Sequence, residues 1–474
     1  MRATGRTKII ATLGPASESP EVLGRMLDAG VDVVRFNFSH GSPADHLRRL
    51  AAARQSADER GLPLAALQDL PGPKLRVGSL PGGQMALVVG QEISLASGQA
   101  GATGGVIPVA YAHLAEDMKV GDRIFLQDGE IALVVVGVAA SRVRCVVESG
   151  GMLRERTGLN LPGVRLSVPA VTDDDLRFLD WGIAQGVEFV GLSFVESAAE
   201  IERVRDIVAR AGGTCRLVAK IERRLALDRL AEIVEAADAV MVARGDLAVE
   251  TSIEEVPVVQ KSIIGLCNRL GRAVITATQM LESMITRPRP TRAEAADVAN
   301  AVFDGTDALM LSGETAIGAH PVEAVATMAA IAERAEAALP YEAVFAARSR
   351  ECGNDTSEAI ALAACEAAEA IGAAAIVAAT ESGSTARRVS RLRPRRPIVA
   401  ITSSPHTWRQ LSLAWGVRPF LIEQAGDVDA LVAQGVRAAK ALGVAGPGDQ
   451  VVVTAGIPIG RPGTTNFLKV IRVE

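Results

Sequence analysis

Short apolar runs alternate with Ala/Leu/Glu/Arg-rich helical stretches along most of this 474-residue chain, at the spacing of βαβ units. That alternation restricts the fold more than any other feature. Runs long enough for one buried parallel strand fall at residues 8–13, 31–38 and 64–69. Five more follow at 189–195, 216–222, 239–243, 273–278 and 307–312. Between the third and fourth runs the texture changes. Residues 73–167 are rich in Gly and Val, and alternating stretches such as 84–89, 123–126, 131–138 and 142–148 read as a small all-β domain. Eight βα units is the count of a TIM (β/α)8 barrel. A doubly wound open sheet would need a Gly-rich phosphate turn after its first strand, and Thr12-Leu13-Gly14-Pro15 is not one. Past residue 340, runs at 375–379, 398–402, 418–422, 450–454 and 467–473 form another α/β block. The expected fold is α/β: a TIM barrel (1–72 and 167–340), an inserted all-β domain (73–166) and a separate C-terminal α/β domain (341–474).

Composition serves mainly to exclude. Hydrophobic residues at 49% and charged ones at 22% describe a globular chain, and a net charge of −5 gives no general attraction for nucleic acid or anionic membrane. The five cysteines are odd in number, scattered and never in a CxxC pair, which argues against a disulfide framework or zinc site and fits a reducing compartment. No run approaches the roughly 18 apolar residues that span a bilayer, and the N-terminal stretch is too polar for a secretory leader. A cytoplasmic protein without nucleic-acid or membrane partners is expected.

The chemistry gathers where the runs stop. Strand C-termini of a parallel α/β sheet open onto the binding crevice. Residues 217–222 end in Lys220-Ile221-Glu222, and 239–246 end in Arg244-Gly245-Asp246. One acid after a strand ordinarily caps the next helix; two delivered to one crevice can hold a hard divalent cation through oxygen ligands. The second strand places Arg35, Asn37 and Ser39 on one side, with His40 next. The third ends at Asp69-Leu70 and leads to Lys74 and Arg76, the fourth carries Ser193, the seventh Thr278, and the eighth Ser312 and Glu314. Any one polar residue here reads as solvated loop, but eight strands doing so together make a pocket. Three cations (Arg35, Arg76, Lys220) beside a carboxylate-held metal suit phosphoryl transfer, where catalysis is mostly positioning and charge neutralisation. No Ser/His/Asp set stands at plausible spacing.

Residues 7–15 (TKIIATLGP), 35–41 (RFNFSHG), 220–222 (KIE), 241–250 (MVARGDLAVE), 278–284 (TQMLESM), 287–300 (RPRPTRAEAADVAN) and 311–316 (LSGETA) resemble pyruvate kinase of a bacterial-like, potassium-independent type, over essentially the whole chain. The resemblance implies transfer of phosphoryl from phosphoenolpyruvate to ADP, giving ATP and pyruvate. It implies Mg²⁺ (or Mn²⁺) on Glu222 and Asp246, with Lys220 on the phosphoryl group and enolate. Arg35, helped by Arg76, would contact the transferred phosphate. Backbone N–H groups of Ala243, Arg244, Gly245 and Asp246 with the Thr278 hydroxyl would take the substrate carboxylate, near Ser193. Enolate protonation would run near Thr278, Ser312 and Glu314. The nucleotide would lie by Thr12, Pro15, Arg35, His40, Arg76 and Asn160, under a closing lid. A homotetramer is implied as well.

Two departures stand out. Members that need K⁺ place a glutamate at the position of Lys74 and a threonine at that of Leu70, and their cation meets oxygens like those of Asn37, Ser39, Asp69 and the residue-70 carbonyl. The Lys74 ammonium is expected to replace that cation, so K⁺ is not required. At Thr157 the family commonly carries a lysine for the nucleotide phosphates, with Arg154 or Arg156 as candidates for its role.

In the C-terminal block, the loop containing Thr380, Ser382, Gly383, Ser384 and Thr385 follows a strand and opens a helix. Ordinary capping and anion binding both fit it. The resemblance favours an effector pocket for a sugar phosphate or nucleotide. The basic run 387–396 reads first as a solvated helix face, with phosphate contacts or an interface as alternatives. A Mg²⁺-dependent lyase or aldolase on a related barrel is a competing enzyme reading, disfavoured by the β insertion. An inactive metabolite sensor is the non-enzymatic reading, disfavoured because Arg35, Lys220, Glu222, Asp246 and Thr278 are all present.

Overall fold

The computed structural model describes residues 5–73, 75–98, 105–139, 141–460 and 463–474, so Lys74 lies outside the described residues. Eight parallel strands close into a barrel: β1 (Lys8–Thr12), β2 (Val33–Asn37), β3 (Ala65–Asp69), then, after the eight strands of the insertion, β12 (Phe189–Leu192), β13 (Arg216–Ile221), β14 (Ala239–Ala243), β15 (Ala273–Ala277) and β16 (Ala308–Leu311). The closing pair is β1 with β16, and β3 meets β12 across the insertion. These strands are buried almost without interruption, which is why they read as continuous apolar runs rather than alternating ones. Helices between them bury one face against the barrel; Thr172, for example, starts Asp173–Ala184 by accepting from Asp175 N while the Asp175 carboxylate answers its own N–H.

The insertion contains β4 (Gln84–Leu87), β5 (Glu92–Ser97), β6 (Val106–Val109), β7 (Arg123–Leu126), β8 (Ile131–Ala139), β9 (Arg142–Ser149), β10 (Gly151–Arg154) and β11 (Leu159–Asn160). Six of them form the sheet β11-β7-β8-β9-β5-β6 around a separate core of Val, Ile and Leu, and β10 pairs with β4. The last block is a five-stranded sheet, β19-β18-β17-β20-β21, from β17 (Ala375–Ala379), β18 (Ile398–Thr402), β19 (Val417–Leu421), β20 (Gln450–Gly456) and β21 (Thr465–Arg472). It is parallel except for β21, which returns antiparallel along β20.

One expectation is corrected. The basic run after residue 386 is not a solvated face: Arg388 and Arg391 share Glu358 at 3.2 and 2.9 Å, and Arg393 is buried on Asp307 at 2.9 Å with its guanidinium over Trp415. These partners come from distant segments of the chain, so periodicity along the helix gave no sign of them. All five cysteines are free thiols. No helix among the described residues is long and apolar enough to cross a membrane.

Candidate active site

At the strand C-termini a cleft of about 260 Å³ opens between barrel and insertion. Arg35, Asn37, Ser39, Ser193, Lys220, Glu222 and Asp246 line it from the barrel, and Arg76 and Asn160 from the insertion.

Its floor is an ion network. Asp69, at the end of β3, takes Arg35 through Oδ2 at 2.7 Å and Lys220 through Oδ1 at 3.1 Å. Burial raises the Asp69 pKa, but the charges of Lys220 and Arg35 more than reverse this and hold it below the usual value. Lys220 also meets Glu222 at 2.8 Å and donates to Ser193 Oγ at 2.7 Å, and that hydroxyl donates to the Leu70 carbonyl at 2.7 Å. Burial works against the Lys220 charge; Asp69 and Glu222 outweigh it and raise its pKa. Arg35 reaches Thr12 Oγ1 at 3.0 Å, so Thr12 bears on the cleft through Arg35. Asn37 turns its Oδ1 back to accept from Ser39 N.

Glu222 is pushed up to about 7, by burial first; Lys220 opposes that rise and Asp246 adds to it. Asp246, raised by burial, accepts from the Asn160 side chain. Glu222, buried, and Asp246, half-buried and raising the proton affinity of Glu222, make a hard-oxygen pair that could hold a divalent cation. Among the described residues no cluster of three or more His, Cys, Asp or Glu offers a closed cage instead.

The second half of the arrangement is the turn after β15. Thr278 and Gln279 both take left-handed backbone, at φ 64° and 53°, a costly conformation for non-glycine residues. Arg244 holds it: its guanidinium donates to the carbonyls of Ala277, Thr278 and Gln279, with Asp297 as counter-ion at 2.7 Å. The Arg244 side chain thus lies outside the cleft lining. Thr278 Oγ1 accepts from Gly245 N at 2.9 Å. Glu314 ties the ends of β15 and β16, accepting from Leu281 N and Ser312 N. Ser312 Oγ is buried without a hydrogen-bond partner among the described residues. Pro15 and His40 are exposed, outside the cleft lining.

Three residues had escaped the sequence reading. Asp128 enters the cleft from a Gln127-Asp128-Gly129 turn at φ 54°, 55° and 95°, a turn signal visible in the sequence. Phe194, at φ 57°, donates its N–H to Glu222 Oε2 at 2.8 Å. Arg223 is buried and donates Nη2 to the carbonyls of Val164 (2.6 Å) and Leu161 (3.4 Å), on the segment returning from the insertion; it also pairs with Glu196 at 2.6 Å. Nothing in the sequence marks Arg223 beyond its place after Glu222.

A family model described as "Pyruvate kinase, barrel domain" matches residues 4–325, and one described as "Pyruvate kinase, alpha/beta domain" matches 358–471. This chain belongs to the pyruvate kinase family. A pyruvate kinase of Sporosarcina psychrophila is 44% identical over 98% of this chain and 80% of its own length. One of Staphylococcus aureus (strain USA300) is 43% identical, with the same coverage. Pyruvate kinases are transferase enzymes, and the closed barrel with its extra sheets is the fold expected of one.

Farther off, Thr380, Ser382, Ser384 and Thr385 line a cavity of about 180 Å³ in the C-terminal sheet region, with Gly383 as the left-handed cap (φ 81°) of helix Ser384–Arg391.

Proposed function

We propose that this protein catalyses phosphoryl transfer from phosphoenolpyruvate to ADP, the last step of glycolysis. One observation carries the reading: Arg35, Lys220, Glu222 and Asp246 of the barrel share a single cleft with Arg76 and Asn160 of the insertion. Glu222 and Asp246 would hold Mg²⁺ or Mn²⁺, which when bound offsets the charge of the substrate carboxylate, enolate and phosphate. Lys220, fixed by Asp69, presents an ammonium to the phosphoryl group and to the enolate as the bond to phosphorus breaks. Arg35 and Arg76 draw the transferred phosphate toward a nucleotide bordered by Thr12, Pro15, His40 and Asn160. Backbone N–H groups at Ala243, Arg244, Gly245 and Asp246 and the Thr278 hydroxyl orient the substrate carboxylate. The Thr278 and Ser312 hydroxyls, set by Glu314, route a proton to the enolate; the free hydrogen-bonding capacity of Ser312 supports this. Residues 73–166 act as a lid over the catalytic domain (1–72 and 167–340), excluding water.

K⁺ independence belongs to the same proposal, with the Lys74 ammonium in the cation's place beside Asn37, Ser39, Asp69 and Leu70. The pocket at Thr380–Thr385, in the domain 341–474, is proposed to take a sugar-phosphate or nucleotide effector, in a cytoplasmic homotetramer.

The test is pyruvate formation from phosphoenolpyruvate, ADP and Mg²⁺ at constant ionic strength, with K⁺ and then with a bulky organic cation. High activity in both is expected. Activity with K⁺ alone would remove the role of Lys74, and no activity from folded protein in either would remove the kinase reading.

A further inference from the structure

The barrel has a second mouth. Phe189, Arg216, Ala239 and Ala273, the first residues of β12 to β15, surround a small cavity at the face opposite the cleft, closed from outside by helix Ser384–Arg391. Three guanidiniums converge on it: Arg216 and Arg272 from the barrel and Arg387 from the helix.

Their charges are not balanced. Two carboxylates line the cavity: Asp307, taken by Arg393 at 2.9 Å, and Asp238, which already takes Arg205 at 2.9 Å, Arg216 at 3.4 Å and Leu217 N at 2.9 Å. Among the described residues neither Arg272 nor Arg387 has a carboxylate at ion-pair distance. Arg387 donates Nη2 to the Ser382 carbonyl at 3.0 Å, an acceptor it shares with Arg216. Arg272 gives Nη2 to the Glu235 carbonyl, and its Nε is buried without a hydrogen-bond partner. The other two arginines lining the cavity are spoken for: Arg391 by Glu358 and Arg393 by Asp307.

Desolvated cations gathered without counter-charge are costly to fold around, and a guanidinium fork matches an oxyanion in both geometry and charge. Arg387 registers the deficit: burial first, then Arg216, push it down to about 9, although the side chain is half-buried by area. The cavity, about 40 Å³, has room for a tetrahedral oxyanion and too little for a nucleoside.

We propose that Arg216, Arg272 and Arg387 form an anion site at the base of the barrel, taking a phosphate-class oxyanion that ties the barrel to the C-terminal domain. It is separate from the cleft and from the pocket at Thr380–Thr385, and it does not depend on the reading of either.

The test is thermal melting of the full chain in phosphate, sulfate and chloride at equal ionic strength. Wild type should gain several degrees, saturably, in phosphate or sulfate over chloride. Arg272→Gln and Arg387→Gln should lose more than half of that gain. In chloride they should melt at or above wild type, because each removes an uncompensated cation. Lys220→Met and Ser384→Ala, which alter the other two sites, should keep the gain. An equal gain in wild type and both arginine variants, or its loss in Lys220→Met or Ser384→Ala instead, would overturn the proposal. So would arginine variants that melt lower in chloride with an unchanged anion response, since the arginines would then serve only the fold.

Discussion

Glu222 shows how much one carboxyl can report. Its folded value of about 7 stands above its ordinary 4.5. An acid so shifted costs the metal-free protein nothing when protonated, and progressively more as pH rises from about 4.5 to about 7. Metal-free Glu222→Gln is therefore expected to gain stability relative to wild type across that interval, with the gap level above it; denaturant melts at stepped pH measure this. Binding of Mn²⁺ should release a proton at pH 6 but almost none at pH 8, seen as buffer-dependent heats in calorimetry and absent from Glu222→Gln. At this scale the sequence was informative wherever a strand stops in charge: Arg35, Lys220, Glu222 and Asp246 all announce themselves. Asp69 was placed among cation-binding oxygens, and its role as the shared counter-ion of Arg35 and Lys220 needed three strands to be laid side by side.

Strands and turns set how firmly those groups are held. The left-handed turn at Thr278 persists because Arg244 gathers three successive carbonyls, so Arg244→Met should unfold roughly 2 kcal/mol more easily, allowing for the partial exposure of Asp297. Its kcat should fall further than that of Asp297→Asn, which keeps the guanidinium in place; steady-state kinetics beside denaturant melts separate the two effects. Arg223 joins β13 to the segment returning from the insertion, so Arg223→Ala should raise the KM for ADP and increase phosphoenolpyruvate breakdown without ADP, both read by pyruvate release. Barrel strands were legible because buried parallel strands leave long apolar runs, and the short β6, β10 and β11 were less so because two to four residues carry little periodicity. Arg223 and Arg244 stayed invisible in their roles because both act on backbone carbonyls, which have no signature in side-chain order.

Across the whole molecule, barrel and C-terminal domain are joined by charges drawn from far apart in the chain. Arg393 and Asp307 are both buried where they meet. Arg393→Ala would strand that aspartate, and a loss on the order of 3 kcal/mol with separation of one melting step into two is the expected calorimetric result. Arg6 works on the same seam, donating to the Pro394 carbonyl and stacking on Tyr341 and Trp415. The α/β blocks were readable from sequence; the pairing that welds them was not, since a run of arginines has the same appearance in solvent and against a buried aspartate.

Strand β13 is anchored at both ends. At its foot Arg216 grips the carbonyl of Ser382 at 3.0 Å, and near its head stand Lys220 and Glu222. Arg216 and Lys220 lie roughly 13 Å apart, at the rise of an extended chain. A strand hydrogen-bonded on both flanks hardly stretches, so it behaves as a pushrod. A change in the loop around Ser382 would therefore bear, through this strand, on the two groups whose spacing sets the electrostatics of the opposite face.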